Sequence, residues 1–224
     1  MNTTPLIQIK KLSCSYNLKE NDKVLYIDDL VIHSGKIIFL LGASGSGKST
    51  LLETLGLMNN TIANGAVHWY SNSGNIELNQ LWKSGSVDEI NRIRKEYLSF
   101  IFQNTNLMEN FTAYENICLS QMIKKNLKQN GVIAEATDLM QQVGLPLSQV
   151  GYDTVSVNLS GGQRQRISFV RALNNDFKIL LCDEPTGNLD EVNAQELMKI
   201  VKQNLHNGRS AVIVSHDVTL AMKY

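Results

Sequence analysis

An unbroken apolar run, Ile37-Ile38-Phe39-Leu40-Leu41, leads directly into Gly42-Ala43-Ser44-Gly45-Ser46-Gly47-Lys48-Ser49-Thr50. A run without polar alternation predicts a strand buried on both faces, as in a parallel sheet. Lys48 to Leu57 then reads as a helix. Strand, glycine-rich turn and helix in that order fit the phosphate-loop pattern G-x-x-x-x-G-K-[ST]. Gly42, Gly45 and Gly47 let the backbone turn tightly and approach an anion. The freed N–H groups and the helix start then face it. Lys48 would reach the terminal phosphates of a nucleoside triphosphate, and Ser49 would offer its hydroxyl to Mg²⁺. Ser44 and Thr50 belong to the same candidate loop. A Gly/Ser linker is the plain alternative, but a linker has no reason to carry Lys-Ser at that place.

Around this nucleus, short apolar runs alternate with helical patterns, as expected of βα units on a parallel sheet. Strands are expected at Leu6–Ile9, over Val24–Ile32 as one or two pieces, across Asn64–Leu78, at Leu98–Phe102, Lys178–Cys182 and Ala211–Val214. Helical spacing marks Asn116–Val143, ended by Gly144-Leu145-Pro146. It also marks Gly161–Asn174, Glu191–His206 and a last helix starting at Asp217.

Composition narrows the function classes. The 21 Lys and Arg balance 21 Asp and Glu, so the chain lacks the basic excess of a protein held by nucleic-acid phosphates. At 224 residues it suits one large domain or a core with a subdomain. Its longest apolar runs fall far short of the ~20 residues needed to cross a bilayer. The start lacks a signal peptide, which predicts a cytosolic location. Cys14, Cys118 and Cys182 are scattered, without C-x-x-C, which argues against zinc or disulfide frameworks.

Two further motifs carry chemistry. Lys178-Ile179-Leu180-Leu181-Cys182-Asp183-Glu184 places carboxylates at the end of an apolar strand, where ligands bind in such sheets. Asp183 suits a Mg²⁺ shell, and Glu184 is free to orient and deprotonate water. A turn is the plain alternative for Asp-Glu-Pro taken alone. In Leu159-Ser160-Gly161-Gly162-Gln163, Ser160 reads as a helix N-cap, and the glycines bare the N–H groups of a second anion-binding helix end. One nucleotide pocket does not need two such ends, so the second is expected to serve the nucleotide of another molecule.

The three motifs in this order resemble the nucleotide-binding subunit of an ABC transporter, and the resemblance covers essentially the whole chain. It implies a P-loop NTPase fold with a RecA-like α/β core, an N-terminal antiparallel β subdomain and a helical insertion. The core would span 1–103 and 154–224, and the helical subdomain 104–153. By the same resemblance Tyr16 would stack on adenine (a strand aromatic facing the core is the alternative). Gln103 would touch Mg²⁺ or water and couple the site to a membrane partner. Asn188-Leu189-Asp190 would cross a dimer interface, with Asp190 near the nucleotide, and His216 would contact the γ-phosphate. His33, His68 and His206 match nothing and read as surface or strand residues.

The implied activity is ATP hydrolysis with Mg²⁺. Glu184 would act as base, assisted by Lys48, Gln103 and His216, with Ser49, Gln103 and Asp183 at the metal. Two copies would sandwich two ATPs between the Lys48 loop of one and Ser160–Gln163 of the other. A separate transmembrane permease subunit would hold the protein on the cytoplasmic face of the membrane, with Asn104–Glu115 as the docking segment. Asn110-Phe111-Thr112-Ala113-Tyr114-Glu115-Asn116-Ile117 and Pro185-Thr186-Gly187-Asn188-Leu189-Asp190 look like the MacB, LolD and FtsE branch. That branch serves lipoprotein release, peptide or drug efflux, or mechanotransmission. An FtsE-like regulator of cell-wall hydrolysis and a non-transport ABC ATPase are the alternatives. Family members usually continue past a point equivalent to Tyr224, so a short branch or a missing end is expected.

Overall fold

The computed structural model describes residues 5–17, 24–71, 74–125, 133–146, 148–151, 153–187 and 189–224. Along the chain come β1 (Pro5–Cys14), β2 (Leu25–His33), β3 (Ile37–Leu41), α1 (Lys48–Leu55), β4 (Ile62–Ser71), β5 (Gly74–Glu77), α2 (Leu78–Ser84) and α3 (Val87–Tyr97). There follow β6 (Leu98–Ile101), α4 (Ala113–Lys125), α5 (Ile133–Gln142), α6 (Gly161–Leu173), β7 (Ile179–Asp183), α7 (Glu191–Asn204), β8 (Ser210–Ser215) and α8 (Val218–Lys223).

The strands form two four-stranded sheets, ordered β2-β1-β4-β5 and β3-β8-β7-β6. The first is antiparallel and the second parallel. In β1, Ile7 and Ile9 are buried while Lys10 faces out. A bulge at Lys11 then shifts the phase by one residue, so that Leu12 and Cys14 are the next buried apolar positions. Gly65 makes this bulge possible: its φ is 87°, and a Cβ there would lie 2.2 Å from the Lys11 carbonyl oxygen.

The parallel sheet divides the core. Leu180, Cys182, Ala211 and Ile213 face α4–α7 and meet Phe169, Met140 and Leu197. Ile179, Leu181, Val212 and Val214 face the opposite layer of α1, α2, α3 and the antiparallel sheet. The period of two along β7 and β8 puts successive residues into different layers, and each fully buried large aliphatic contributes roughly 1.5–3 kcal/mol.

Three expectations need correction. β3 is not buried on both faces: its residues are half-buried and Leu41 is 43% exposed, because β8 is its one partner among the described residues. The helical stretch expected over Asn116–Val143 starts earlier, at Ala113, and consists of α4 and α5, with 126–132 outside the described residues. Two helices, α2 and α3, occupy a stretch to which the sequence reading assigns no element. The signal for α3 is nonetheless present. Ser86 caps it by accepting from the Glu89 N–H at 3.3 Å, with Asp88 and Glu89 in its first turn and Arg94 and Lys95 in its last.

Candidate nucleotide site

Parallel strands release their chain at one edge of the sheet, and the candidate residues gather along that edge. Gly47 is the N-cap of α1 in the left-handed region, φ 87°. A Cβ there would come within 2.9 Å of both the Leu25 Cβ and the Val24 carbonyl oxygen, so glycine is required twice over. The Lys48 ammonium arches back over its own loop. It donates to the Gly42 and Ala43 carbonyls at 2.9 and 2.7 Å and to the Ser46 hydroxyl at 3.4 Å. Gly45 and Ser44 complete the exposed rim of the loop.

β7 brings the second motif to the loop. The Ser49 hydroxyl donates to Asp183 Oδ1 at 3.3 Å across 134 positions of sequence. Burial pushes the Asp183 carboxyl above its ordinary value, with the Ser49 bond opposing and the Glu184 carboxylate adding to the rise. A partly buried carboxylate beside a hydroxyl offers two hard oxygen donors, and this donor set fits Mg²⁺. Among the described residues no cluster of three or more His, Cys, Asp or Glu could hold a metal ion. Of the expected metal residues, Ser49 and Asp183 lie together, and Gln103 sits on the neighbouring Glu184.

Glu184 turns the chain out of β7 in a left-handed conformation, φ 45°, anchored by its N–H to the Val214 carbonyl at 3.0 Å. Its carboxylate joins three strand ends. His216 Nε2, just after β8, lies 2.6 Å from Oε1, and Gln103 Nε2, just after β6, donates to Oε2 at 3.4 Å. Thus Gln103, Glu184 and His216 form one cluster beside Asp183.

Tyr16 follows β1 and is 53% exposed, which excludes the alternative of a core aromatic. Its hydroxyl contacts the buried Thr50 hydroxyl at 3.2 Å and donates to Glu53 Oε2 at 3.1 Å. The sequence reading does not single out Glu53. Its place on α1, one turn beyond Ser49, is the helical spacing that could have found it.

The Ser160–Gln163 end makes no hydrogen bond to the Lys48 loop among the described residues. Ser160 caps α6 by accepting from the Gln163 N–H at 3.2 Å, and Gln163 Oε1 accepts from the Ser160 N–H at 2.8 Å. This reciprocal box is a strong helix start. A Cβ on Gly161 or Gly162 would meet nothing within 4 Å, so the packing of this chain does not demand either glycine. Asp190 caps α7, and the Asn193 backbone and side-chain amides hold its carboxyl below the usual carboxylate range. Arg166 of α6 donates to Asn193 Oδ1 at 2.9 Å, linking the two helix starts. Asn188 lies outside the described residues.

Comparison with known proteins shows what the whole chain resembles. The family model described as ABC transporter matches residues 27–187. The chain is 34% identical over 99% of its length to the lipoprotein-releasing system ATP-binding protein LolD of Alcanivorax borkumensis, covering 92% of that protein. It is also 34% identical to the macrolide export ATP-binding/permease protein MacB of Escherichia coli K12 over 97% of its own length, but spans only 32% of that longer protein. Among solved structures, the dimeric bacterial ABC transporter cassette MJ0796 superposes with a TM-score of 0.82 at 32% identity, covering 97% of this chain and 90% of that one. A second dimeric structure of that cassette, in a post-hydrolysis state bound to ADP and Pi, gives 0.81 at 30% identity over 96% and 90%. The chain belongs to the ABC transporter family, as an ATP-binding cassette and ATPase of the MacB/LolD branch.

Proposed function

We propose that this ATPase hydrolyses ATP at the Lys48–Asp183–Glu184 edge and completes the site with the Ser160–Gln163 end of a second copy. The observation that carries the reading is the Glu184 carboxylate, held between Gln103 and His216 beside the Ser49–Asp183 pair. Phosphoryl transfer needs positioning and charge neutralisation more than covalent help. Lys48 exchanges its loop carbonyls for phosphate oxygens, and the loop N–H groups surround them. Mg²⁺ on Ser49 and Asp183 would neutralise phosphate charge. Glu184 takes a proton from the attacking water, Gln103 orients that water, and His216 holds Glu184 and bonds a γ-phosphate oxygen. Tyr16 receives the adenine.

The glycines of α6 support the second copy: bare helix N–H groups with open space before them suit an anion from outside the chain. Asp190, tied to α6 through Asn193 and Arg166, is set at the same contact. The neighbour MJ0796 is dimeric in both structures.

Residues 104–153 form the helical subdomain in this reading, with the core at 1–103 and 154–224. No described helix is long and apolar enough to cross a membrane. A transmembrane permease partner would dock over the segment Asn104–Glu115 and the neighbouring groove of about 440 Å³ lined by Phe100, Phe102, Met108, Leu119 and Ile123. The cassette then works at the cytoplasmic face of the membrane. Lipoprotein release or export of peptides or drugs are the transport classes suggested by its LolD and MacB relatives.

The test is Glu184→Gln. ATP binding should persist, phosphate release should fall by about 10²–10⁴-fold, and size exclusion should show an ATP-dependent dimer. Unchanged turnover would remove Glu184 from its role.

A further inference from the structure

An exposed tyrosine ordinarily samples several rotamers, yet the ring of Tyr16 is tied at its far end. Its hydroxyl donates to Glu53 Oε2 at 3.1 Å and contacts Thr50 Oγ1 at 3.2 Å. Glu53 is itself steadied, because the same oxygen accepts from Asn59 Nδ2 at 2.9 Å. The backbone on either side of Tyr16 is pinned as well. The Ser15 N–H donates to the Thr61 carbonyl at 2.8 Å, and the Asn17 N–H to the Ser15 hydroxyl at 3.2 Å. Thr61 in turn meets Thr54 of α1 through their hydroxyls at 2.5 Å, and Thr54 donates to the Thr50 carbonyl at 2.6 Å. The hydroxyl contacts of Tyr16 and the Ser15–Thr61–Thr54 chain thus lead back to α1, the helix that begins with Lys48 and Ser49.

We propose that Glu53, seconded by Thr50, is a positioning residue that locks the Tyr16 ring at a fixed distance and angle from the phosphate loop, so that α1 places both ends of the nucleotide. The inference rests on Tyr16 being the platform for the base. A ring pre-set in this way spares the nucleotide the cost of immobilising it on binding. A charged acceptor makes the stronger of the two hydroxyl contacts. Against the lowering effect of the Thr50 bond, burial and the Glu53 carboxylate push the Tyr16 hydroxyl above its ordinary value, so it remains a donor.

The experiment uses the full chain and two ligands, ATP and inorganic tripolyphosphate, which has the phosphates without the base. Affinities are measured with kcat and KM for Tyr16→Ala, Tyr16→Phe, Glu53→Ala, Glu53→Gln and the Tyr16→Phe/Glu53→Ala pair. Tyr16→Ala should weaken ATP by about tenfold or more, the scale of a lost base–aromatic stack. Tyr16→Phe and Glu53→Ala should each raise the ATP KM about 3- to 10-fold with kcat retained, the scale of one lost hydrogen bond. Tripolyphosphate affinity should not change. The pair should be no worse than either single variant, since both remove one contact. Glu53→Gln keeps an acceptor oxygen and should restore most of the affinity. Equal losses for ATP and tripolyphosphate in Glu53→Ala would make Glu53 a prop of α1 and overturn the proposal. A normal ATP KM in Glu53→Ala, with Tyr16→Ala impaired, would overturn the anchor and keep the platform. A normal KM in Tyr16→Ala would remove the platform itself.

Discussion

Glu184 holds a left-handed backbone with a Cβ, a conformation that costs on the order of 1–3 kcal/mol and persists only where surroundings impose it. Its N–H bond to Val214 and its carboxylate between Gln103 and His216 do the imposing. Asp183 next to it carries a different cost. Its folded pKa is raised, chiefly by burial, so the native state holds a proton more tightly than the unfolded chain. Stability from this group is therefore greatest below the ordinary carboxylate pKa, about 3.9, and is lost as pH rises through the raised value. Asp183→Asn should raise the Tm of the nucleotide-free protein at neutral pH, by on the order of 2 °C, while Mg²⁺-ATP affinity drops. Thermal scans in EDTA from pH 4 to 8 check this: the gain should grow with pH. A Tm lowered equally at every pH would mean that the Ser49 contact outweighs the burial cost. Lys48, Ser49, Asp183 and Glu184 are legible in the sequence because each sits in a contiguous motif. The exposure of Tyr16 and its tie to Glu53 are not, since they depend on how β1 ends against α1.

At the level of elements, α6 shows local signals agreeing with local structure. Ser160 and Gln163 form the box that their spacing announces, and the helix starts at Gly161 as the motif requires. The two glycines break the agreement, since glycine weakens a helix by about 0.5–1 kcal/mol relative to alanine and neither position is crowded. Gly162→Ala should therefore leave the fold at least as stable by denaturant titration. ATP hydrolysis should fall by about tenfold or more if the proposed second copy brings its phosphates here, because a methyl group would displace them. Full activity in a stabilised variant would show that nothing docks there. The elements the sequence conceals are α2 and α3. Their segment is short of long apolar runs, and only Leu78, Leu81, Ile90 and Ile93 are buried from it. Burial of β3 is misjudged for a related reason: an apolar run reports strand character, whereas its depth depends on which strands flank it.

Across the whole molecule, the parallel sheet separates two apolar layers and presents its working edge between them. The groove beside β6 is lined by Phe102, the chain neighbour of Gln103, so a partner seated there would bear on the segment that carries the contact with Glu184. Met108 and Ile123 line it and are 48% and 63% exposed, hence replaceable without loss of core. Ile123→Glu should keep basal ATPase within about twofold, as for a surface change, while the stimulation by a reconstituted permease disappears. Stimulation that survives both Ile123→Glu and Met108→Asp would place docking elsewhere.

The sequence alone determined the chemistry of the phosphate loop, the carboxylate pair and the capped glycine helix, because each needs only neighbours in the chain. A helix N-terminus and a turn are built from contiguous backbone. Tertiary structure decided which of these meet. Ser49 reaches Asp183, and Gln103 and His216 reach Glu184, because the order β3-β8-β7-β6 brings those strands to one edge. The same packing gives Ser160–Gln163 no hydrogen bond to its own loop among the described residues. Apolar patterning records that a strand is buried, not which strand lies beside it, and strand order is a property of the folded whole.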